Sequence, residues 1–352
     1  MAVRAQALYG IDRDALRGDL EKAGFPAYRA DQVLRWLYEK HIGSLDEAAN
    51  LPLPLRRHLS DHFVLSSLSL HEKHVSDGEE SAKFLFLTHD RFFLESVLIV
   101  QENRRTVCVS TQLGCKMGCV FCASGKGRFV RSLTAGEIVE QALWIEKDCG
   151  ARLTNVVFMG MGEPLDNFEP VMKALEILQA PWGFGLGARR ITVSTSGVTP
   201  KILEFVERSE GRVRLSVSLH SADDAVRTRL VPLNKKYPVR ELAKALRDIH
   251  GRLKREITFE VTLLGGVNDS RRDAEGVASL AKPLSAKVNL IPYNPIREMD
   301  FKTPSPESID RFRKVLEARG IRVTLRQTAG REIHAACGQL RLEKETTAAD
   351  SR

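Results

Sequence analysis

The sequence predicts an α/β protein whose largest domain is a partial barrel of six strand–helix units. From residue 106 onward, short apolar runs suited to buried strands alternate with longer segments in which apolar residues recur every three or four positions. Alternation at these lengths is typical of right-handed βα units around a parallel sheet. Because a complete barrel has eight units, we expect this one to be open at one side, where a macromolecule could reach the carboxyl ends of the strands.

The barrel is assigned to residues 105–330, and a C-terminal tail follows at residues 331–352. Strands are predicted at residues 106–112, 154–160, 189–196, 213–220, 256–264 and 287–292. Helices are predicted at residues 134–148, 169–179, 199–209, 240–254, 271–282 and 305–319. Thr134 and Glu137 have the spacing of a capping box, which marks the start of the first helix. A seventh strand is possible at residues 322–327.

The chain before the barrel divides into two regions. Residues 1–62 are predicted to form a small helical accessory domain, with helices at 13–23 and 30–40 around a Gly-Phe-Pro break, similar to a helix-hairpin-helix module. Residues 63–104 are predicted to form a short β linker region, because the apolar period there changes to two. Its strands are expected at residues 64–74, 82–88 and 92–101.

The composition, 43% hydrophobic and 28% charged residues, is ordinary for a globular protein. No apolar run is long enough to span a bilayer, and the N-terminus lacks the apolar stretch of a signal peptide. We therefore expect a cytoplasmic protein without membrane contact. Its thiols would be reduced, so clustered cysteines indicate metal binding or catalysis before disulfides.

A net charge of +8 suits an anionic partner such as a nucleic acid, although a basic enzyme without one would have the same charge. We expect the helical domain to contact RNA. The alternative is a bundle that only packs on the barrel.

The cysteines cluster: four of six lie within fifteen residues, and Cys115, Cys119 and Cys122 form a C-x3-C-x2-C loop rich in glycine. Soft thiolates at this density favour zinc or an iron–sulfur cluster. Three thiolates would leave one iron of a four-iron cluster open to the amino and carboxylate groups of S-adenosylmethionine (SAM). On spacing alone zinc remains possible, with Cys108 as a fourth ligand.

Polar motifs follow the predicted barrel strands, at the edge where barrel active sites lie. Gly160 and Gly162 would let the backbone approach a ligand closely, and Glu163 could accept a hydrogen bond from an ammonium group. Ser218 and His220, at the end of the fourth strand, could bind a ligand or form a satisfied polar pair at the barrel rim.

These motifs together resemble a known family. The strings CVSTQLGCKMGCVFC, GMGEPL, STSG, SLH, PYNP and HAACGQL are similar to those of the radical-SAM superfamily and, within it, of the RlmN and Cfr adenine methyltransferases. The resemblance runs over nearly the whole chain, from about residue 10 to about residue 340. The resemblance implies a partial (βα)6 radical-SAM barrel with one 4Fe-4S cluster on Cys115, Cys119 and Cys122. It also implies a SAM site that consists of Gly162, Glu163, Ser194, Ser218, Leu219, His220 and Asn294.

The resemblance further implies a two-cysteine mechanism that uses two SAM molecules per turnover. Cys337 would take a methyl group from one SAM, and a radical generated from the second would activate that methyl for addition to adenine. Glu95, although a buried carboxylate more often pairs with an arginine, would accept the ring proton. Cys108 would then attack Cys337 and release the RNA, leaving a disulfide. Cys149 matches no motif and is interpreted as a structural thiol.

The expected substrates are the peptidyl-transferase loop of 23S rRNA and the adenine 3′ of some tRNA anticodons, both methylated at C2. The expected electron donor is a flavodoxin or ferredoxin, and the enzyme is expected to be a monomer. Two alternatives stay open. One is methylation at C8, as in Cfr, which shares the two-cysteine design. The other is a zinc-dependent RNA-binding protein that uses four cysteines without catalysis.

Overall fold

A computed structural model describes residues 6–296, 299–326, 333 and 338–340. The N-terminal region is helical, as predicted, and contains a third helix. Its elements are β1 (Gln6–Ala7), α1 (Arg13–Lys22), α2 (Tyr28–Tyr38), α3 (Leu53–His62) and β2 (Phe63–Val64). Asp12 caps α1 by accepting from the N–H groups of Asp14 and Ala15. The parallel pairing of β1 with β2 brings the two ends of the region together.

Three antiparallel strands follow, and they extend the barrel sheet. They are β3 (Leu68–Val75), β4 (Ser81–Thr88) and β5 (Phe93–Gln101). β5 pairs with the first barrel strand, so residues assigned to a linker region continue the main sheet. An alternating period cannot reveal this, because it shows that a strand has one buried face but not which strand lies beside it.

The barrel contains the six predicted parallel strands and the possible seventh. Its strands are β6 (Arg104–Val109), β9 (Asn155–Phe158), β10 (Ile191–Thr195), β11 (Arg214–Ser218), β12 (Thr258–Leu263), β13 (Lys287–Pro292) and β14 (Val323–Leu325). A short hairpin after β6 consists of β7 (Gln112–Leu113) and β8 (Arg131–Ser132). The main sheet has ten strands in the linear order β14-β13-β12-β11-β10-β9-β6-β5-β4-β3.

The helices lie between these strands. They are α4 (Ala123–Lys126), α5 (Ala135–Cys149), α6 (Phe168–Gln179), α7 (Thr199–Arg208), α8 (Asp224–Leu230), α9 (Val239–His250), α10 (Arg271–Ala281) and α11 (Pro306–Ala318). The capping box of Thr134 and Glu137 is present at the start of α5, as predicted. Helix α8 was not predicted, because seven residues are too few to show a helical period.

One hydrophobic core joins the N-terminal region to the barrel. The cluster that contains Leu16, Val33 and Leu59 also contains Val193 and Phe259 on barrel strands. Within the described part of the chain, no helix is long and apolar enough to cross a membrane.

Candidate cofactor and active site

A cavity lies at the carboxyl ends of the barrel strands, and it brings together most of the predicted site residues. Those that line it are Cys115, Cys119, Cys122, Gly162, Glu163, Ser194, Ser218 and His220. These residues come from the cysteine loop and from the ends of β9, β10 and β11. Leu219 and Asn294 are buried beside the cavity without lining it.

The cysteine loop is held in place by backbone hydrogen bonds to other strand ends. The N–H groups of Thr111 and Gln112 both donate to the carbonyl of Met161, at 2.8 and 3.2 Å. The predicted first strand therefore stops at Val109, because the chain turns here from the β6 ladder toward the loop after β9. At the far side, Gly125 has no room for a side chain, since an added Cβ would lie 2.7 Å from the Cys119 carbonyl oxygen.

The three loop thiols are partly buried and line the same cavity, and their electrostatics fit the binding of a cationic iron cluster. The pKa of Cys115 is raised to about 12, first by burial and then by the nearby Cys122 and Glu163, while a hydrogen bond from the Met117 N–H opposes the rise. The pKa of Cys119 is raised well above its usual value, first by burial and then by Cys122 and Cys115. Three neighbouring thiolates would repel one another here, so they need a bound cationic group to stay deprotonated.

Within the described residues, no three Cys, His, Asp or Glu side chains are arranged around a single metal ion. A four-iron cluster takes each thiolate on a different iron and so accommodates ligands that are farther apart. Cys108 packs with Val97 and Met161, whereas Cys119 and Cys122 pack against a separate cluster that contains Leu230; of the loop thiols, only Cys122 lines a cavity with Cys108. This placement disfavours a zinc site made of all four cysteines.

Glu163 is fully buried at the cavity wall and is held by its neighbours. Its Oε2 accepts from the N–H and the hydroxyl of Ser196, at 2.7 and 2.6 Å, and its Oε1 accepts from the Leu165 N–H at 3.1 Å. Burial raises the pKa of Glu163, and the hydrogen bonds from Ser196 oppose that rise. Because Glu163 lines the cavity, its carboxylate can accept a hydrogen bond from a ligand ammonium group there.

The glycines before Glu163 serve the protein's own packing. An added Cβ on Gly160 would lie 2.6 Å from the Ser110 hydroxyl, and one on Gly162 would lie 2.6 Å from the Gln112 side chain. Gly162 also has a φ of +99°. The expectation that these glycines admit a ligand is thus incomplete: they first allow the loop after β9 to approach the strand that leads into the cysteine loop.

His220 connects the cysteine loop with the strand ends. Its ring lies 4.7 Å from the Phe121 ring, at an angle of 66°, and its Nδ1 accepts from the Thr262 N–H at 3.1 Å. Burial, with a smaller effect from Arg227, lowers the pKa of His220 to about 3. The imidazole is therefore neutral and can act as an acceptor.

Arg227 is a buried site residue that the sequence analysis missed. Its guanidinium donates to the carbonyls of Leu219 and Ser196, at 3.0 and 2.6 Å, and so ties the end of β11 to the loop after β10. It is 1% exposed and carries positive charge next to the thiols, where its field lowers the pKa of Cys119. One arginine on an unpredicted helix gave no signal in the sequence.

Asn268 and Glu260 also support the site. Asn268 donates to the carbonyls of His220 and Thr262, at 2.7 and 2.8 Å, and fixes the left-handed backbone of His220. Glu260 lines the cavity and accepts from the Ser216 hydroxyl and the Asn289 side chain, at 2.6 and 2.7 Å. Neither belongs to a recognisable motif.

Cys108 lines a second, smaller cavity that adjoins the first. The two cavities share Cys122, Met159, Gly160, Arg326 and Gly338. Gly338 is anchored at the cysteine loop, because its carbonyl accepts from the Ala123 N–H at 2.8 Å. Cys337, the residue before Gly338, lies outside the described residues.

Glu95 forms a buried ion pair with a lysine rather than with the expected arginine. Lys83 Nζ lies 3.1 Å from Glu95 Oε1, and both side chains are almost inaccessible. In the sheet, Lys83 is opposite Val97, and Val97 is opposite Cys108. Because alternate residues share a face, the pair lies on the face of the sheet that carries Cys108.

Comparisons with known proteins agree with this fold. The sequence model of the radical SAM superfamily matches residues 109–275, and that of the "Ribosomal RNA large subunit methyltransferase N-terminal domain" matches residues 6–65. The crystal structure of a radical SAM methyltransferase from Sphaerobacter thermophilus is 44% identical, with a TM-score of 0.91 over 96% of this chain and 100% of that one. The barrel and its cysteine loop are therefore those of a radical SAM protein.

Curated relatives identify the family to which the chain belongs within the radical SAM superfamily. The "Probable dual-specificity RNA methyltransferase RlmN 3" of Opitutus terrae is 45% identical, and the alignment covers 96% of this chain and 95% of that protein. The "Probable dual-specificity RNA methyltransferase RlmN" of Bacillus subtilis is 41% identical over 96% of this chain and 93% of its own. The chain belongs to the RlmN family, which confirms the resemblance inferred from the motifs.

Proposed function

We propose that this SAM-dependent RNA methyltransferase methylates C2 of adenine in the peptidyl-transferase loop of 23S rRNA and C2 of the adenine 3′ of the anticodon in tRNAs. The observation that carries the proposal is the adjacency of the two cavities. The cavity of Cys108 adjoins the cavity of the cysteine loop, and Gly338, next to Cys337 in the chain, lines both. A thiol that must attack the sulfur of a second cysteine requires this kind of proximity.

The residues present fit a 4Fe-4S cluster and SAM. Cys115, Cys119 and Cys122 would hold the cluster, and Glu163 would receive the methionyl ammonium group. When bound, the cluster supplies the electron that cleaves SAM to a carbon radical, which is the chemistry that an electron-poor adenine carbon requires. The buried, neutral surroundings of His220 and Phe121 would exclude water from that reaction.

The chain's own residues would perform the group transfer. The Cys337 thiolate would attack the methyl carbon of a first SAM and release S-adenosylhomocysteine, and the methylated sulfur would later carry the bridging carbon to adenine C2. Glu95 would accept the proton from that ring carbon. The Cys108 thiolate would then attack the Cys337 sulfur and break the sulfur–carbon bond. The electron pair of that bond would stay on carbon, which would take a proton to become the methyl group, and the two sulfurs would form a disulfide that a cellular reductant must open.

The position of methylation is tested by analysis of the product RNA. The purified enzyme, reconstituted without oxygen, should produce 2-methyladenosine in both a 23S rRNA fragment and tRNA, as measured by nuclease digestion and mass spectrometry. Exclusive 8-methyladenosine would contradict the proposal and assign the protein to the Cfr type. Product in only one of the two RNAs would overturn the proposed dual specificity.

Variants of Glu95 test whether this carboxylate takes part in catalysis or only stabilises the fold. Glu95→Gln should lose turnover and also destabilise the fold by about 3–5 kcal/mol, because it leaves the buried Lys83 ammonium without its counter-charge. The double variant Lys83→Met, Glu95→Gln removes both charges. It should recover most of the thermal stability while remaining inactive.

The matched control is Lys83→Met with Glu95 intact, which should be destabilised like the Glu95 variant. Thermal unfolding and single-turnover methylation of all three variants decide the point. Turnover that returns with stability in the double variant would show that Glu95 is structural and not a proton acceptor.

Four expectations stay predictions: a flavodoxin or ferredoxin as electron donor, the monomeric state, the cytoplasmic location, and contact between the helical domain and RNA.

A further inference from the structure

Arginines line the edge of the barrel sheet opposite the cofactor cavity. Every barrel strand runs in the same direction, so the residues that start the strands meet at one edge, and the cavity residues meet at the other. The six arginines at the starts of β6, β9, β10 and β11 are here called the basic edge: Arg104, Arg105, Arg152, Arg189, Arg190 and Arg214.

Hydrogen bonds between the starts of neighbouring strands join four of these arginines in two pairs. Arg105 Nε donates to the Arg152 carbonyl at 2.8 Å, and Arg214 Nε donates to the Arg189 carbonyl at 2.9 Å. Each guanidinium has five N–H donors, so donors remain for a ligand after these bonds are made.

The basic edge has few counter-charges. Arg152 pairs with the buried Glu146 at 2.7 Å. Among the described residues, no carboxylate lies within salt-bridge distance of Arg104, Arg189 or Arg190, and all three are exposed. Exposed like charges along one edge of the sheet give it a positive potential, so the arrangement favours an anionic ligand.

We propose that the basic edge binds RNA phosphates outside the methylated loop. Arginine forks match phosphate geometry, and a row of them spaced by neighbouring strands suits a repeating polyanion. The five residues of β11 separate the two edges by about 13 Å. A large structured RNA can place a flanking helix on this edge while its target loop enters the cavity, whereas a minimal hairpin has no flanking helix to place there.

The proposal concerns an RNA substrate and so rests on the proposed function. The test compares a minimal target hairpin with a long 23S rRNA fragment that keeps the flanking helices. The test variant is Arg104→Gln, Arg189→Gln, Arg190→Gln. The matched control is Arg240→Gln, Lys244→Gln, Arg247→Gln, which removes three exposed cations from the outer helix α9.

The test variant should bind the long RNA about 10-fold more weakly at physiological salt. The slope of log affinity against log salt should fall by about 2–3, since each lost phosphate contact contributes about 0.9. Hairpin binding and hairpin methylation should be unchanged, and the control should behave as wild type on both RNAs. Arg→Lys substitutions at the same three positions should keep most of the affinity, because they keep the charge.

Three results would overturn the proposal. They are equal losses on hairpin and long RNA, an unchanged salt slope on long RNA, and loss in the α9 control as large as in the test variant. An edge that serves an acidic protein would give the second result. Failure of the wild-type enzyme to methylate the hairpin would instead contradict the proposed function, so the two failures are distinguishable.

Discussion

Replacing Cys119 by alanine is expected to abolish iron binding and SAM cleavage together. The loop places Cys119 in the same buried region as Cys115 and Cys122, where each thiolate needs a cationic group to offset burial and mutual repulsion. With one of three protein ligands removed, a cluster has no means of staying attached at the remaining two. Anaerobic reconstitution followed by iron quantification should give about four irons per chain for wild type and close to none for the variant.

Cys149→Ser is the matched control for this experiment. Cys149 closes α5, and its thiol donates to the carbonyl of Ala151 at 3.1 Å, away from both cavities. Iron content should therefore stay at the wild-type level. A full iron complement in Cys119→Ala would refute the cluster assignment, and one tightly bound zinc in wild-type protein would favour the non-catalytic alternative.

Removal of Cys337 and removal of Cys108 are expected to give opposite defects. Cys337→Ala should keep the cluster but never acquire a methyl group from SAM and never bind RNA covalently. Cys108→Ala should acquire the methyl group, react once and stall as a protein–RNA adduct, because no second thiol releases the bridging carbon. We therefore expect the adduct to accumulate in Cys108→Ala and to be absent from Cys337→Ala.

A denaturing gel with labelled RNA measures the adduct directly, and mass spectrometry of the protein measures the methyl group. The double variant is the control: it should form no adduct, which shows that the covalent bond runs through Cys337. Multiple turnover by Cys108→Ala would contradict its role as the resolving thiol. An adduct in Cys337→Ala would show that a different residue carries the bridge.

Much of the fold could be predicted from the sequence because the patterns that indicate strands and helices are local. The six parallel strands alternate with helices whose apolar residues recur at helical spacing, and both patterns depend on neighbours only a few residues apart. The capping box at Thr134 is of the same kind, and it was confirmed. The strand ends were less well placed, because the chain leaves the ladder at Val109 through contacts with Met161, which lies far away in the sequence.

The sequence alone determined the family, the barrel and the residues of the cysteine loop, whose three thiols lie within eight residues and are brought together by the chain itself. Only the tertiary structure decided that Lys83 pairs with Glu95 and that Cys108 lies beside the loop cavity. It also decided that Arg227 joins the end of β11 to the loop after β10 by hydrogen bonds. These contacts depend on the register of strands and on a helix too short to show a period. Register is set by the packing of the whole sheet, so no short stretch of sequence contains it.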